Sequence, residues 1–191
     1  GKRGGVFGRV RADDLLIHVL KAALRAVPSV DPALIDDVVV GCAMPEGEQG
    51  LNIARMAGVM ADFPVRMGGV TINRFCASGL QAIGMAADRI RLGDSDIMLA
   101  AGVESMSHIP MSGHVPSLNP RIFTEQKPEL AYSMGVTAEA VAQKWKVTRE
   151  DQDRFAFESH RRALLAQENG AFHDEIIPFD RVLACYDGEQ Q

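Results

Sequence analysis

One cysteine of this chain stands at the junction between a strand-like pattern and a helix-like pattern. Residues 70–73 are mostly apolar and β-branched, and Cys76 follows them three positions later. Positions 77–79 hold only small residues, and apolar side chains then recur at helical spacing at Leu80, Ile83, Ala87 and Ile90. This pattern predicts that Cys76 lies where a strand turns into the N-terminus of a helix.

A thiol in this position has the chemistry of a nucleophile. The unpaired N–H groups and the dipole of a helix N-terminus favour negative charge, so they stabilise a thiolate. The thiolate is the reactive form of cysteine. The small residues at positions 77–79 would let a substrate carbonyl approach both the sulfur and nearby backbone N–H groups. The sequence therefore indicates acyl transfer through a thioester on Cys76.

A buried, structural role is the alternative for each cysteine, because free cysteine usually packs as a small hydrophobic residue. That role fits Cys42, at the end of an apolar run, and Cys185, whose neighbours match no motif. Three widely spaced cysteines form no disulfide framework, which favours a reducing compartment. The cysteines and histidines also lack zinc-ligand spacing, so no metal is expected.

Four blocks of the sequence resemble the thiolases, the acyl-CoA:acetyl-CoA C-acyltransferases. The segment Asn73-x-x-Cys76-x-Ser78-Gly79 resembles the nucleophile motif of the family. Residues 46–55 are similar to fatty-acid-degrading members, and residues 96–107 resemble the next strand with its Gly-x-Glu-Ser-Met-Ser turn. The fourth block comprises residues 132–139 and 148–153. These blocks follow one another in the order found in the family, and the resemblance extends to about Asp180.

The resemblance implies an α/β fold in two parts. Residues 1–107 would form the thiolase-like, layered α-β-α N-terminal domain that carries the nucleophile, and residues 108–191 a mostly helical, CoA-covering loop domain, present only in part. Residues 1–5 resemble a loop that follows the first strand in thiolases, so the first domain is expected to be incomplete and to lack that strand.

The residue patterns themselves predict alternating strands and helices in right-handed βαβ units. Strands are expected at residues 37–42, 69–75 and 97–103. Helices are expected from Asp13 or Asp14 to about residue 26, and at about 52–62, 76–92, 137–146 and 148–167. A last, short strand is expected at residues 175–179.

The resemblance also implies roles for individual residues. Cys76 would carry the acyl group, with its backbone N–H in the oxyanion hole, and Met134 would contact CoA. Ser133 stands where many biosynthetic-type members have a histidine, which favours the degradative branch. Met106 and His108 are further candidates for contacting the substrate or CoA. The alternatives are that such methionines fill a core and that His108 is a solvated loop residue.

Together these features predict thiolytic cleavage of a 3-ketoacyl-CoA through an acyl-cysteine intermediate, as in fatty-acid β-oxidation. The family's Cys-x-Gly, Gly-His-Pro and Asn-Glu-Ala-Phe motifs do not occur in the 191 residues. The chain is therefore expected to be an N-terminal half that is inactive alone. Two alternatives stay open: a non-catalytic thiolase-like protein that binds acyl-CoA or a partner subunit, and a condensing relative with a cysteine nucleophile.

Composition excludes other classes of function. The net charge of −5 argues against a nucleic-acid partner, and the absence of an apolar run of about 18 residues argues against a membrane span. The resemblance implies CoA and acyl-CoA as substrates, no cofactor, and a homodimer or homotetramer formed through residues 69–75. A bacterial, cytoplasmic location is expected; a mitochondrial or peroxisomal one is the alternative, because the N-terminus looks trimmed.

Overall fold

A computed structural model describes residues 5–180 of the chain, which fall into two compact units. Residues 5–115 and 177–180 form the first unit, and residues 116–176 form the second. The boundary predicted after Ser107 falls within the first unit. Cys185 lies outside the described residues.

A parallel sheet forms the centre of the first unit. Among the described residues it has the strand order β2-β1-β3 and consists of β1 (Asp37–Gly41), β2 (Val70–Ile72) and β3 (Met98–Gly102). Val39 of the central strand is paired with Val70 on one side and with Ala100 on the other. The continuous apolar run of β1 is buried from Val38 onward, as expected for a strand inside a parallel sheet.

Helices cover both faces of this sheet. The first unit contains α1 (Ala12–Ala26), α2 (Ile53–Met60) and α3 (Ser78–Leu92). Val38 and Val40 pack in one core cluster with Leu16 of α1 and Ile53 of α2. The glycine that ends β1, Gly41, faces the first turn of α3 instead. Because alternate residues of a strand point to opposite faces, α3 lies on the other side of the sheet. The α/β class predicted from the sequence is confirmed.

The helix ends show where local sequence rules hold and where they fail. Asp13 and Asp14 do not cap α1; the helix starts at Ala12, and both acids lie in its first turn, where negative charge suits the dipole. α3 starts at Ser78 and not at the cysteine. It ends as predicted, since Gly93 adopts the left-handed conformation with φ 77°.

The second unit is helical. It contains α4 (Arg121–Thr124), α5 (Met134–Trp145) and α6 (Arg149–Glu168), and Thr148 caps α6 by accepting from the backbone N–H of Asp151 at 3.1 Å. The helices predicted at 137–146 and 148–167 are thus confirmed with small shifts at their ends.

The short strand predicted at residues 175–179 is wrong. The segment contains no regular structure after its last turn, and Pro178 has no N–H to donate to a sheet. Residues 177–179 belong to the first unit, and contacts of Pro178 and Phe179 hold them there. The carbonyl of Pro178 lies 2.8 Å from Nε2 of His18, and the ring of Phe179 packs edge-on against Phe7 and His18.

Candidate active site

Cys76 lies in the turn between β2 and α3, and its side chain is exposed. Ala77 occupies the N-cap position and Ser78 is the first helical residue, so the thiol precedes the helix by one residue more than a capping group would. The junction predicted from the sequence is therefore present. An exposed thiol beside the N-terminus of a fifteen-residue helix is placed to react as a nucleophile.

The turn that carries Cys76 has a constrained backbone. Phe75 has φ 47°, a left-handed conformation that costs a residue with a bulky side chain roughly 1–3 kcal/mol. Two side chains hold it there. Asn73 Oδ1 accepts from the N–H of Phe75 at 2.8 Å, while Ser78 Oγ accepts from the N–H of Arg74 at 2.8 Å and donates to the carbonyl of Phe75 at 2.6 Å. These bonds fix the position of the cysteine relative to α3.

The carboxyl end of β1 passes directly beneath this helix. A Cβ built on Gly41 would lie 2.5 Å from the backbone nitrogen of Gly79 and 2.6 Å from the carbonyl oxygen of Ser78. Both atoms belong to the backbone and cannot rotate away. Glycine at position 41 is therefore what allows the first turn of α3 to rest on the sheet.

A polar cluster centred on buried Gln49 and exposed Glu104 joins the carboxyl ends of β1 and β3. Gln49 is fully buried, and its Nε2 donates to Glu104 Oε1 at 2.6 Å and to the carbonyl of Met44 at 2.9 Å. Its Oε1 accepts from the N–H of Ser105 at 2.5 Å. The other oxygen of Glu104 accepts from the N–H of Ala43 at 2.7 Å. All the hydrogen-bonding atoms of this amide are thus satisfied inside the protein.

Cys42 has the environment of an inert thiol. It is 1% exposed and belongs to the core cluster. Burial, and then the charge of Glu104, raise the pKa of Cys42 to about 11. The structural role predicted for Cys42 is consistent with this placement, and the contrast with exposed Cys76 singles out one candidate nucleophile among the described cysteines.

The remaining candidates divide between the two units. Met106 and His108 belong to the first unit, and His108 is not a solvated loop residue. Its side chain is 20% exposed, with Nδ1 3.0 Å from Glu48 Oε2. Met134 and Ser133 belong to the second unit. Met134 is 62% exposed, and Ser133 caps α5 by accepting from the N–H of Val136 at 3.3 Å.

Sequence reasoning missed Gly41, Gln49 and Glu104 as residues of the site. Glu104 belongs to the motif at residues 96–107 and Gln49 to the motif at residues 46–55, but neither motif indicated that the two side chains are in contact. Polar residues that follow buried strands were the one available signal, since carboxyl ends of parallel strands share an edge of the sheet.

Among residues 5–180, no cluster of three or more His, Cys, Asp or Glu side chains is arranged to hold a metal ion. The helices of this described part are too short or too polar to cross a membrane.

The chain is similar to known proteins over most of its length. Residues 1–184 match the family model for the thiolase N-terminal domain. The chain is 47% identical to a 3-ketoacyl-CoA thiolase of Bacillus subtilis over 176 residues, which cover 92% of this chain and 44% of that protein. It is 42% identical over 193 aligned positions to one of Erwinia tasmaniensis, covering 98% and 49% of the two chains. It is 43% identical over 176 residues to one of Salmonella typhimurium, covering 92% and 45%. The chain thus spans about half the length of the curated relatives it matches.

Proposed function

This chain belongs to the thiolase family, and we propose from that premise that it carries the nucleophile of a 3-ketoacyl-CoA thiolase. The observation that supports the proposal most directly is the exposed thiol of Cys76 in the turn before α3. The names of the relatives supply the substrate class, and the motifs at residues 46–55 favour the degradative, β-oxidation type over condensing relatives.

The proposed reaction has two acyl-transfer steps. The Cys76 thiolate attacks the 3-keto carbonyl, and the backbone N–H of Cys76 helps bind the oxyanion; one such donor is worth about 3–4 kcal/mol of the barrier. The bond between C2 and C3 breaks, its electron pair leaves with the acetyl-CoA carbanion, and that carbon takes up a proton. The family resemblance assigns this proton to a second cysteine, which is not among the 191 residues. CoA thiolate then takes the acyl group and releases Cys76.

Residues 108–191, which include the second unit, complete the proposal. We assign them to a loop domain that covers CoA, with Met134 and Ser133 as contacts to that substrate. The exposed side chain of Met134 at the start of α5 is available to a ligand. CoA and acyl-CoA are substrates in this scheme, and no cofactor takes part. The matched relatives are bacterial, and a cytoplasmic site of action belongs to the same proposal.

Acyl labelling of the thiol tests the proposal without requiring cleavage of a carbon–carbon bond. Incubation with acetyl-CoA should transfer the acetyl group to Cys76 and release CoA, since a thiolate exchanges readily with a thioester. We expect peptide mass spectrometry to find the acetyl group on Cys76 and hydroxylamine to remove it, as it removes thioesters. Cys76→Ala should lose this label, and Cys42→Ala should keep it.

A label confined to lysines, or present equally on Cys42, would contradict the proposal. Binding of acyl-CoA by the chain without any label on Cys76 would support the alternative of a non-catalytic acyl-CoA-binding protein.

We also propose that two copies of the chain associate through β2, as a homodimer or as a dimer of such dimers. This strand is paired with β1, and its other edge has no strand partner among residues 5–180. An unpaired edge of apolar residues can pair with its own copy around a twofold axis. Val70 on this strand is 36% exposed and contributes to that edge.

A charge on this edge should therefore separate the two copies. We expect light scattering at micromolar concentration to give the mass of a dimer, and Val70→Lys to give that of a monomer. Val65→Lys is the matched control, because Val65 is 83% exposed and lies outside the strand. A monomeric parent chain, or a dimer that persists in Val70→Lys, would disprove the interface.

A further inference from the structure

We infer that Glu104 is a positioning residue for Cys76. Its carboxylate, oriented by Gln49, holds the backbone of Ala43, and Ala43 in turn holds Asn73 and the turn that carries the thiol. The inference rests on the proposed role of Cys76 as the nucleophile.

The first link of this path uses both oxygens of the carboxylate. Glu104 Oε1 accepts from Gln49 Nε2 at 2.6 Å, and Oε2 accepts from the N–H of Ala43 at 2.7 Å. Gln49 cannot swing away, because it is fully buried and bonded as well to Met44 and Ser105. Gln49 Nε2 and the N–H of Ala43 therefore both donate to the side chain of Glu104, which must offer two acceptor atoms. A carboxylate has two acceptor oxygens, whereas the carboxamide of a glutamine has one.

The second link runs from Ala43 to the cysteine turn. The carbonyl of Ala43 accepts from Asn73 Nδ2 at 2.9 Å, so both backbone groups of Ala43 are engaged, one by Glu104 and one by Asn73. The other end of the same amide, Asn73 Oδ1, accepts from the N–H of Phe75 at 2.8 Å. The path from Glu104 is thus an unbroken series of hydrogen bonds that ends one residue before Cys76.

The strained backbone of Phe75 makes the position of Cys76 depend on this series of hydrogen bonds. Phe75 keeps a left-handed conformation, with φ 47°, only while its surroundings hold it there. If Ala43 shifts, Asn73 loses its anchor and the turn can relax. The thiol would then leave its fixed position beside the first turn of α3. Glu104 therefore controls the reactivity of Cys76 in addition to joining two strands.

Alkylation of Cys76 in Glu104→Gln measures the effect. We expect its second-order rate constant with iodoacetamide at neutral pH to fall about fivefold, because the thiol loses its fixed position beside the first turn of α3. Asp62→Asn is the matched control: it removes an exposed carboxylate of the same unit whose one side-chain partner among residues 5–180 is Lys21, and should leave the rate unchanged.

A swapped pair separates positioning from loss of charge or of stability. In Gln49→Glu combined with Glu104→Gln, the new amide donates to the new carboxylate and still accepts from Ala43, and Ser105 keeps an acceptor, whereas the carbonyl of Met44 loses its donor. We expect this double variant to alkylate faster than either single variant, since the hydrogen bonds along the path from position 49 to Ala43 are restored. Gln49→Glu alone places its carboxylate against that of Glu104, so its Cys76 should be alkylated as slowly as that of Glu104→Gln.

Asn73→Ala provides a second route to the same result. It acts at the end of the path nearest to Cys76, should slow alkylation of Cys76 to the same extent as Glu104→Gln, and should add nothing to the effect of that variant. If Glu104→Gln does not fold, the alkylation rate of Cys76 in Asn73→Ala tests the inference in its place.

A folded Glu104→Gln that reacts at the parent rate, or a swapped pair as slow as the single variant, would overturn the inference. A parent chain whose Cys76 takes up no acetyl group from acetyl-CoA removes the proposed function itself, together with the inference.

Discussion

We expect iodoacetamide to modify Cys76 of the folded chain at least about a hundredfold faster than it modifies Cys42. The pKa of Cys42 is raised from 9.0 to about 11, so at neutral pH its thiolate fraction is about a hundredfold below that of an ordinary cysteine. Burial adds to this difference, because a side chain that is 1% exposed reacts only when the core opens. Cys76 is exposed, so the reagent reaches its thiol without any opening of the core.

The measurement is a time course with limiting reagent, followed by digestion and mass spectrometry of the peptides that contain each cysteine. The same experiment in denaturant is the control, since unfolding exposes both thiols and should bring their rates together. Cys185 is followed as a separate peptide. Comparable labelling of Cys42 and Cys76 in the folded chain would refute the assignment of Cys76 as the accessible nucleophile.

The second large effect concerns the glycine beneath α3. Gly41→Ala should lower the free energy of unfolding by roughly 1–3 kcal/mol, the usual cost of inserting a methyl group where none fits. The new Cβ would lie 2.5 Å from the nitrogen of Gly79, so the helix must move as a whole. Because the helix N-terminus borders Cys76, alkylation of the thiol should slow as well.

Gly84→Ala is the matched control in the same helix. A Cβ at Gly84 meets nothing within 4 Å, and alanine is the better helix former by about 1 kcal/mol. This variant should be as stable as the parent chain or more so. Urea unfolding monitored by circular dichroism measures both variants. A Gly41→Ala chain with unchanged stability would show that β1 and α3 have room between them.

The sequence predicted those features of this protein that arise from neighbours along the chain. The apolar run of residues 38–42, the switch of periodicity after Asn73 and the stop at Gly93 are local patterns, and each led to the element found there. The motif around Cys76 indicated the thiolase family. The errors were also local in origin: α1 takes its acids inside the first turn, and the segment at 175–179 pairs with no strand among residues 5–180.

Tertiary structure decided what surrounds the nucleophile. Gln49 and Glu104 are separated by 55 positions, and Ala43 and Asn73 by 30, so no periodicity in the sequence relates them. They meet because parallel strands bring their carboxyl ends to one edge of the sheet. The need for glycine at position 41 likewise arises only when α3 packs on β1. A residue type can specify a strand, a turn or a thiol, but a hydrogen bond or a close approach across the fold depends on where packing places the second partner.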